Sequence, residues 1–257
     1  MLVLIAESKT MEDKEMVVDK EVYRLNRPSG EERADEVMGK LRGMSVPEIA
    51  AAIRISGVLA SKVVKMAYEF PNKGLGLRAI ESYTGVVFKA LDYGTLPEEA
   101  RSFIDKSTGI ISSLYGWLNA GDIIKPYRYD FGAKLTPGSR PACELIKKDV
   151  TIRFARTLQE QGEGVVLDLL PGDAAKCVDW KLLKRFAKVY KVDFKEVKDG
   201  GEFKTPHAGK LKMMRGALLR EIAIRRIRDV RNLLTLETDL LMPLGTPDYP
   251  DHIAFCV

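Results

Sequence analysis

At 257 residues, with 46% hydrophobic and 30% charged residues, the chain has the composition of a soluble globular protein with one large core or two modest ones. The net charge of +5 is mildly basic, which alone is a weak indication of nucleic-acid binding. The first apolar run, residues 2–6, is too short for a signal-peptide core, and no stretch approaches the roughly 18 apolar residues of a membrane span. We therefore expect a cytoplasmic protein that does not enter a membrane.

Cysteine and histidine are too sparse to indicate a disulfide framework or a zinc site. Cys143, Cys177 and Cys256 are odd in number and far apart, so we expect free thiols. His207 and His252 are also widely separated, which argues against a histidine metal site but leaves a carboxylate site for magnesium open. The sequence identifies no cofactor and leaves the oligomeric state undetermined.

The chain begins with MLVLIAESKT, which predicts a short buried strand that runs into a polar turn. Lys9 and Thr10 follow the strand. Because ligands of open α/β sheets bind beyond the carboxyl ends of strands, Lys9 is a candidate site residue, with a solvated turn lysine as the alternative. No glycine-rich loop precedes Lys9, so this is not a Walker A motif.

Residues 31–70 carry helical patterns that form a predicted helical hairpin. Ser45, Pro47 and Glu48 indicate a capped helix start, and Gly57 is expected to divide the run into two helices. Arg54 precedes this break. The hairpin is only weakly similar to a DNA-binding hairpin, because one glycine stands where two are usual, and a plain helical hairpin is favoured.

The rest of the chain mixes predicted strands and helices without a strict βαβ repeat. The fold class is therefore mixed α/β (α+β), in one compact domain that covers residues 1–257. Apolar or alternating patterns predict strands at 82–91, 164–171 and 190–197, and helical patterns predict helices at 97–106, 143–161, 180–189 and 208–232.

Residues 113–128 combine Tyr115, Asp122, Lys125, Tyr127 and Arg128 with turn-forming glycines and a proline. A purely structural loop has little use for two tyrosines, a carboxylate and two cations in so few positions, which favours a functional site. The alternative is a buried tyrosine corner in which Asp122 and Arg128 form an internal pair.

The last long predicted helix is strongly basic. Residues 204–231 contain nine Lys and Arg against two acidic residues, a surplus of seven. Arg215 and Arg220 fall between apolar neighbours, so they need a carboxylate, a carbonyl or a bound anion. Internal pairing with Asp122 or Asp130 and a phosphate-binding cleft are equally compatible with this pattern. Further cations, expected at a solvated end that could touch a nucleic-acid backbone, are Arg225, Arg226, Arg228 and Arg231.

Taken together, these motifs resemble the YaaA family of bacterial proteins linked to peroxide stress. The family patterns SPAKT and RIS are matched by ESKT from Glu7 and by residues 54–56. The patterns SGLYG, RPLD and PYRLEMG are matched by SSLYG, NAGD and PYRYDFG within residues 112–132. The pattern KKARG with a following arginine is matched by KMMRG from Lys212 and by Arg220.

The resemblance implies a single-domain mixed α/β structure, the cantaloupe fold, with a positively charged cleft and a helix-hairpin-helix element. It also implies binding of duplex or branched DNA and a role in limiting free iron and oxidative damage. Of the matching positions, Lys9, Tyr115 and Asp122 are candidate catalytic residues. Those expected to bind substrate or phosphate are Arg54, Tyr127, Arg128, Lys212, Arg215 and Arg220.

The chain also departs from the family pattern in ways that remove polar groups. Val86 and Phe88 stand for Asp and Tyr, Asn119 for Arg, and Met213 for Lys. Between residues 168 and 174, Asp168 stands for Asn, Pro171 for Ser, Asp173 for Glu and Ala174 for Tyr. These changes fit a specialised relative whose cleft has a different ligand, with sequence drift that leaves the function unchanged as the alternative.

Three functions compete at this point. The first is a nucleic-acid-binding stress protein in which the cleft cations contact phosphates and the tyrosines contact bases. The second is an enzyme of a specialised biosynthetic pathway that acts on a phosphorylated or nucleobase-like small molecule. Lys9, Tyr115 or Asp122 would then act as acid, base or nucleophile. The third is an interaction protein whose cleft is closed by internal ion pairs.

Overall fold

The N-terminal apolar run forms a buried strand at the centre of the fold. The computed structural model describes residues 1–12, 17–71, 76–244 and 251–257. Strand β1 covers Leu2–Ala6, and all five residues are buried. Because strand side chains alternate between the faces of a sheet, Val3 and Ile5 pack into one core, and Leu2 and Leu4 pack into a second core on the opposite face.

The sheet around β1 has a parallel interior and antiparallel edges. The other described strands are β2 (Leu77–Arg78), β3 (Thr108–Ser112), β4 (Gly116–Asn119), β5 (Ile123–Ile124), β6 (Val165–Asp168), β7 (Lys188–Val197), β8 (Phe203–Lys204), β9 (Met242–Pro243) and β10 (His252–Cys256). Among these described strands, β4, β3, β1, β6, β7, β10 and β9 are neighbours in that order, and β8 pairs with β7. The pairs among β3, β1, β6, β7 and β10 are parallel. A separate antiparallel pair joins β2 and β5.

Helices cover both faces of the sheet. The described α-helices are α1 (Lys20–Leu25), α2 (Glu31–Arg42), α3 (Val46–Ile53), α4 (Gly57–Glu69), α5 (Ala79–Ser82), α6 (Val86–Leu91), α7 (Glu98–Ser107), α8 (Ala142–Gln161), α9 (Gly172–Ala175), α10 (Trp180–Leu183) and α11 (Ala208–Ile224). Buried residues of α2, α3, α4, α7 and α11 share the larger core with Val3 and Ile5. The smaller core contains α8, where Phe154 stacks on Trp117 of β4 at 4.9 Å between ring centroids. The predicted mixed α/β class is confirmed.

Several element predictions are confirmed, and three need correction. The strands predicted at 164–171 and 190–197 correspond to β6 and β7. Residues 82–91, predicted as a strand, are mostly helical, because Phe88 and Leu91 lie on one buried face of α6. The helix predicted at 180–189 ends at Leu183, since β7 begins at Lys188. The helix predicted at 208–232 ends at Ile224, and Arg226 has a left-handed φ of 51°.

The predicted helical hairpin is α3 followed by α4. Glu48 Oε2 accepts a hydrogen bond from the Ser45 amide at 2.7 Å, as the capping pattern predicts. The chain leaves α3 at Arg54, whose φ of 60° is left-handed, and Gly57 begins α4 rather than separating the helices. Within the described ranges, every helix is too short or too polar to cross a membrane.

Candidate functional site

A pocket opens beyond the carboxyl end of β1, in the middle of the sheet. β1 pairs with β3 on one side and with β6 on the other, and such points in a strand order are where open α/β sheets bind ligands. The pocket has a volume of about 310 Å³, which is enough for a small molecule. Its lining consists of Ile5, Ala6, Glu7, Ser8, Lys9, Thr10, Gly85, Val86, Val87, Phe88, Phe131, Leu169, Pro171, Asp173, Lys212 and Arg215.

Arg215 reaches this pocket from α11, one turn after Lys212. Burial lowers the pKa of Arg215, and the nearby carboxylates of Asp168 and Asp173 oppose that shift. Arginine nevertheless stays protonated in proteins. Within the part of the chain that the structure describes, its guanidinium makes no hydrogen bond or ion pair. A partly buried guanidinium with unused donors, facing mostly apolar walls, favours a bound anion.

Lys9 lies at the mouth of the same pocket and is already paired. Its ammonium forms an ion pair with Asp130, and its backbone carbonyl accepts a hydrogen bond from Arg128 Nη1 at 2.6 Å. The Lys9 side chain is 59% exposed, so this pair is solvated and can exchange for a ligand. The structure thus brings Lys9, Lys212 and Arg215 to one pocket, with Arg128 beside it.

Glu7 connects the pocket to a buried network of hydroxyl groups. Its Oε2 accepts hydrogen bonds from the Ser113 amide at 2.8 Å and from the Tyr127 hydroxyl. The Tyr127 oxygen also lies 2.7 Å from Ser112 Oγ and 2.8 Å from the Tyr83 hydroxyl. Burial raises the pKa of Glu7 to about 7, although hydrogen bonds from Ser113 and Tyr127 favour the charged form. The pocket therefore contains a carboxyl group that changes protonation state near neutral pH.

Tyr115 and Asp122, the other two candidate catalytic residues, are buried away from the pocket lining. The Tyr115 hydroxyl accepts a hydrogen bond from the Lys125 amide at 3.2 Å. Asp122 Oδ2 accepts one from the Asn119 amide at 2.9 Å, and burial raises the pKa of Asp122 to about 7. The internal pair of Asp122 with Arg128, which was the alternative to a functional site, is wrong, since each has other partners. In this geometry both residues shape the loop that carries Tyr127.

Arg54 and Arg220 lie outside the pocket lining. Arg54 is exposed at the turn between α3 and α4. Arg220 Nη1 donates to the carbonyls of Leu91 and Asp92, at 2.8 and 3.0 Å, and so caps the C-terminal end of α6. Of the two alternatives for Arg220, internal pairing with Asp122 or Asp130 is therefore wrong, because Leu91 and Asp92 supply its acceptors.

A second groove adjoins the pocket at Lys9 and Thr10. It has a volume of about 220 Å³ and receives Lys62 from α4 as well as Arg128. The two openings together present cations from α4, from the segment after β1 and from α11. By contrast, Arg225 pairs with Glu221 at 3.1 Å, which reduces the free charge at the end of α11.

Gly216 and Gly85 lie where neighbouring atoms leave no space for a side chain. A Cβ at Gly216 of α11 would lie 2.1 Å from the Val87 carbonyl oxygen of α6. A Cβ at Gly85 would lie 2.2 Å from Ser8 Oγ. These close approaches bring α6 against both α11 and the end of β1, so its first turn forms one pocket wall.

Comparison with known proteins shows the family of the chain. The family model described as peroxide stress protein YaaA matches residues 1–241. This protein belongs to the YaaA family. A UPF0246 protein of Bacteroides fragilis is 29% identical over 238 residues, covering 91% of this chain and 90% of that protein. One from Francisella tularensis subsp. novicida is 26% identical over 262 residues, covering 100% and 99%. A third, from Desulforapulum autotrophicum, is 29% identical over 236 residues, covering 89% of each.

Several departures from the YaaA pattern lie together in the pocket wall. Val86 and Phe88, where the pattern has Asp and Tyr, line the pocket, as do Pro171 and Asp173, where it has Ser and Glu. Three of these four exchanges replace a polar side chain with an apolar one. The departures at Asn119, Ala174 and Met213 lie outside the lining. Val86, Phe88 and Pro171 thus give the pocket an apolar wall.

Sequence reasoning missed Glu7 as a site residue. It begins the ESKT match, and its only local signal is a carboxylate placed directly after a buried strand. Its partners Ser113 and Tyr127 are 106 and 120 positions away, so the network exists only in the folded chain. Among the described residues, no group of three or more His, Cys, Asp and Glu side chains is arranged to hold a metal ion.

Proposed function

We propose that this YaaA-family protein binds, and acts on, a small anionic molecule with an apolar or heterocyclic body, such as a nucleotide. Arg215 carries the proposal. Its partly buried guanidinium faces a pocket of about 310 Å³ and makes no hydrogen bond or ion pair within the described residues. A phosphate or carboxylate would satisfy these donors bidentately.

The remainder of the lining supports the same ligand class. Lys212 adds a second cation on the same helix, and Lys9 adds a third from the segment that follows β1. Ile5, Phe88 and Leu169 offer apolar surface suited to a ring. The ligand would therefore place its anionic group toward α11 and its body against the end of the sheet.

Calorimetric titration with AMP, GMP, CMP and UMP tests this function. Arg215→Ala should weaken the binding of any nucleotide that binds wild type by about 10- to 100-fold, since a hydrogen bond to a charged group contributes about 1.5–3 kcal/mol. Arg226→Ala is the matched control, because Arg226 is an exposed arginine just beyond α11 and outside the pocket lining. Equal affinities for wild type and Arg215→Ala would contradict the proposal, as would failure of all four nucleotides to bind at millimolar concentration.

Nucleic-acid binding is the second candidate, favoured by the adjoining groove. Lys62 and Arg128 extend the cationic lining of the pocket past Lys9, along a surface that a phosphate backbone could follow. Fluorescence anisotropy of labelled duplex and four-way-junction DNA across a salt series tests this function. Lys62→Ala should then reduce the slope of log K against log salt by about one. Binding that hardly changes with salt would count against it.

A further inference from the structure

We propose that Glu7 is the group that exchanges a proton with the ligand of this pocket, and that Tyr127 positions its carboxylate. The inference rests on the proposed binding function and adds the chemistry of the ligand. Glu7 lines the pocket directly, whereas the predicted acids Tyr115 and Asp122 do not.

The carboxylate of Glu7 is held in one orientation by groups from distant parts of the chain. The Ser113 amide, just beyond β3, and the Tyr127 hydroxyl both donate to Oε2. Tyr127 is itself fixed by hydrogen bonds with Ser112 and Tyr83, and all three side chains are buried. A carboxyl group held in this way is preorganised for directional contact with a ligand.

The charges around Glu7 leave both of its protonation states accessible. Within the described residues Glu7 has no ion-pair partner, so no cation fixes it as a carboxylate. The titratable groups that interact electrostatically with Glu7 are Tyr83, Tyr127 and Cys177, and burial raises their pKa values, which keeps them neutral. The other charged residues that line the pocket are Lys9, Asp173, Lys212 and Arg215. Lys9 is engaged by Asp130, and Asp168 and Asp173 lie near Arg215.

This arrangement points to a nitrogen heterocycle that carries an anionic substituent. Protonated Glu7 can donate to a ring nitrogen, and ionised Glu7 can accept from a ring N–H. In the transfer itself, the proton of a ring N–H passes to a carboxylate oxygen of Glu7, and the N–H bonding pair remains on nitrogen as a lone pair. The reverse step returns the proton, and no other bond changes. Arg215 meanwhile holds the anionic substituent.

A direct titration of Glu7 tests the inference without any ligand. The carboxyl carbons of the glutamates are labelled with ¹³C and observed by NMR, and the Glu7 resonance is the one absent from the spectrum of Glu7→Gln. Glu99→Gln, which removes an exposed carboxylate, is the control. We expect a midpoint near 7 for Glu7, against about 4.3 for ordinary glutamates. Tyr127→Phe should raise that midpoint, since it removes a donor to the charged form. A Glu7 midpoint below about 5 would overturn the inference.

The ligand arm uses calorimetry with the same four nucleoside monophosphates in two buffers of different ionisation enthalpy at pH 7. Wild type and Glu7→Gln should differ by about half a proton exchanged per bound nucleotide, because Glu7 is half protonated near its pKa, whereas the nucleotide phosphate contributes equally in both proteins. Equal proton exchange in wild type and Glu7→Gln would exclude Glu7 even if Arg215→Ala weakens binding. If no nucleotide binds, the proposed ligand class fails, and the carboxyl titration alone decides on Glu7.

Discussion

Gly216 lies where α11 crosses α6 without space for a side chain, and alanine at this position should destabilise the protein. The new Cβ would lie 2.1 Å from the Val87 carbonyl oxygen, 2.8 Å from the Ala90 Cβ and 3.0 Å from the Leu91 amide nitrogen. Two of these atoms belong to the backbone, so no side-chain rotation relieves the clash and α6 must shift as a unit. Overpacking of this kind costs about 1–3 kcal/mol.

Gly39 provides the matched control for Gly216→Ala. It lies inside α2, and no atom lies within 4 Å of a Cβ built there. Gly39→Ala should therefore stabilise the protein by about 0.5–1 kcal/mol through helix propensity alone. Urea unfolding followed by circular dichroism compares the free energies of unfolding of both variants with that of wild type. In a thermal melt, Tm should fall by about 2–4 °C for each kcal/mol lost. A Gly216→Ala variant as stable as wild type would refute the close crossing of α6 and α11.

The remaining predictions concern ionisable groups. Burial raises the pKa of Asp122 to about 7 from an ordinary value of 3.8, so its contribution to stability is complete below pH 4 and is lost as pH rises through 7. The free energy of unfolding of wild type relative to Asp122→Asn should therefore fall between pH 4.5 and 7.5, and a constant difference in urea unfolding would contradict the burial of this carboxylate. Lys9→Met removes an exposed ion pair with Asp130 and should change stability by at most about 1 kcal/mol in the same assay. A larger loss would mean that Lys9 is structural rather than available to a ligand.

Local patterns were sufficient to predict the framework of the site. The apolar run before Glu7 predicts β1, and the rule that ligands bind beyond strand ends directs attention to Lys9, which does line the pocket. Arg215 could be selected because it interrupts an apolar helix surface. These signals are local, since strand and helix periodicities depend on neighbouring residues.

Other features depend on contacts that sequence separation conceals. Arg215 and Arg220 are five positions apart on α11, about 140° around its axis, so one faces the pocket and the other the end of α6. Residues 82–91 are apolar enough for a strand, but residues 86–91 form a short helix that packs against Gly216 of α11. Periodicity alone does not separate these alternatives in so short a run.

The central claim is that the pocket beyond β1 binds an anion at Arg215. A crystal structure of the protein grown with millimolar AMP tests this most directly. The account predicts ligand density in the pocket, with the phosphate against the Arg215 guanidinium and the adenine ring within reach of Glu7. Two results would contradict the account. One is AMP density confined to the surface of α3 and α4, and the other is an Arg215 guanidinium without a bound anion in crystals that contain AMP elsewhere.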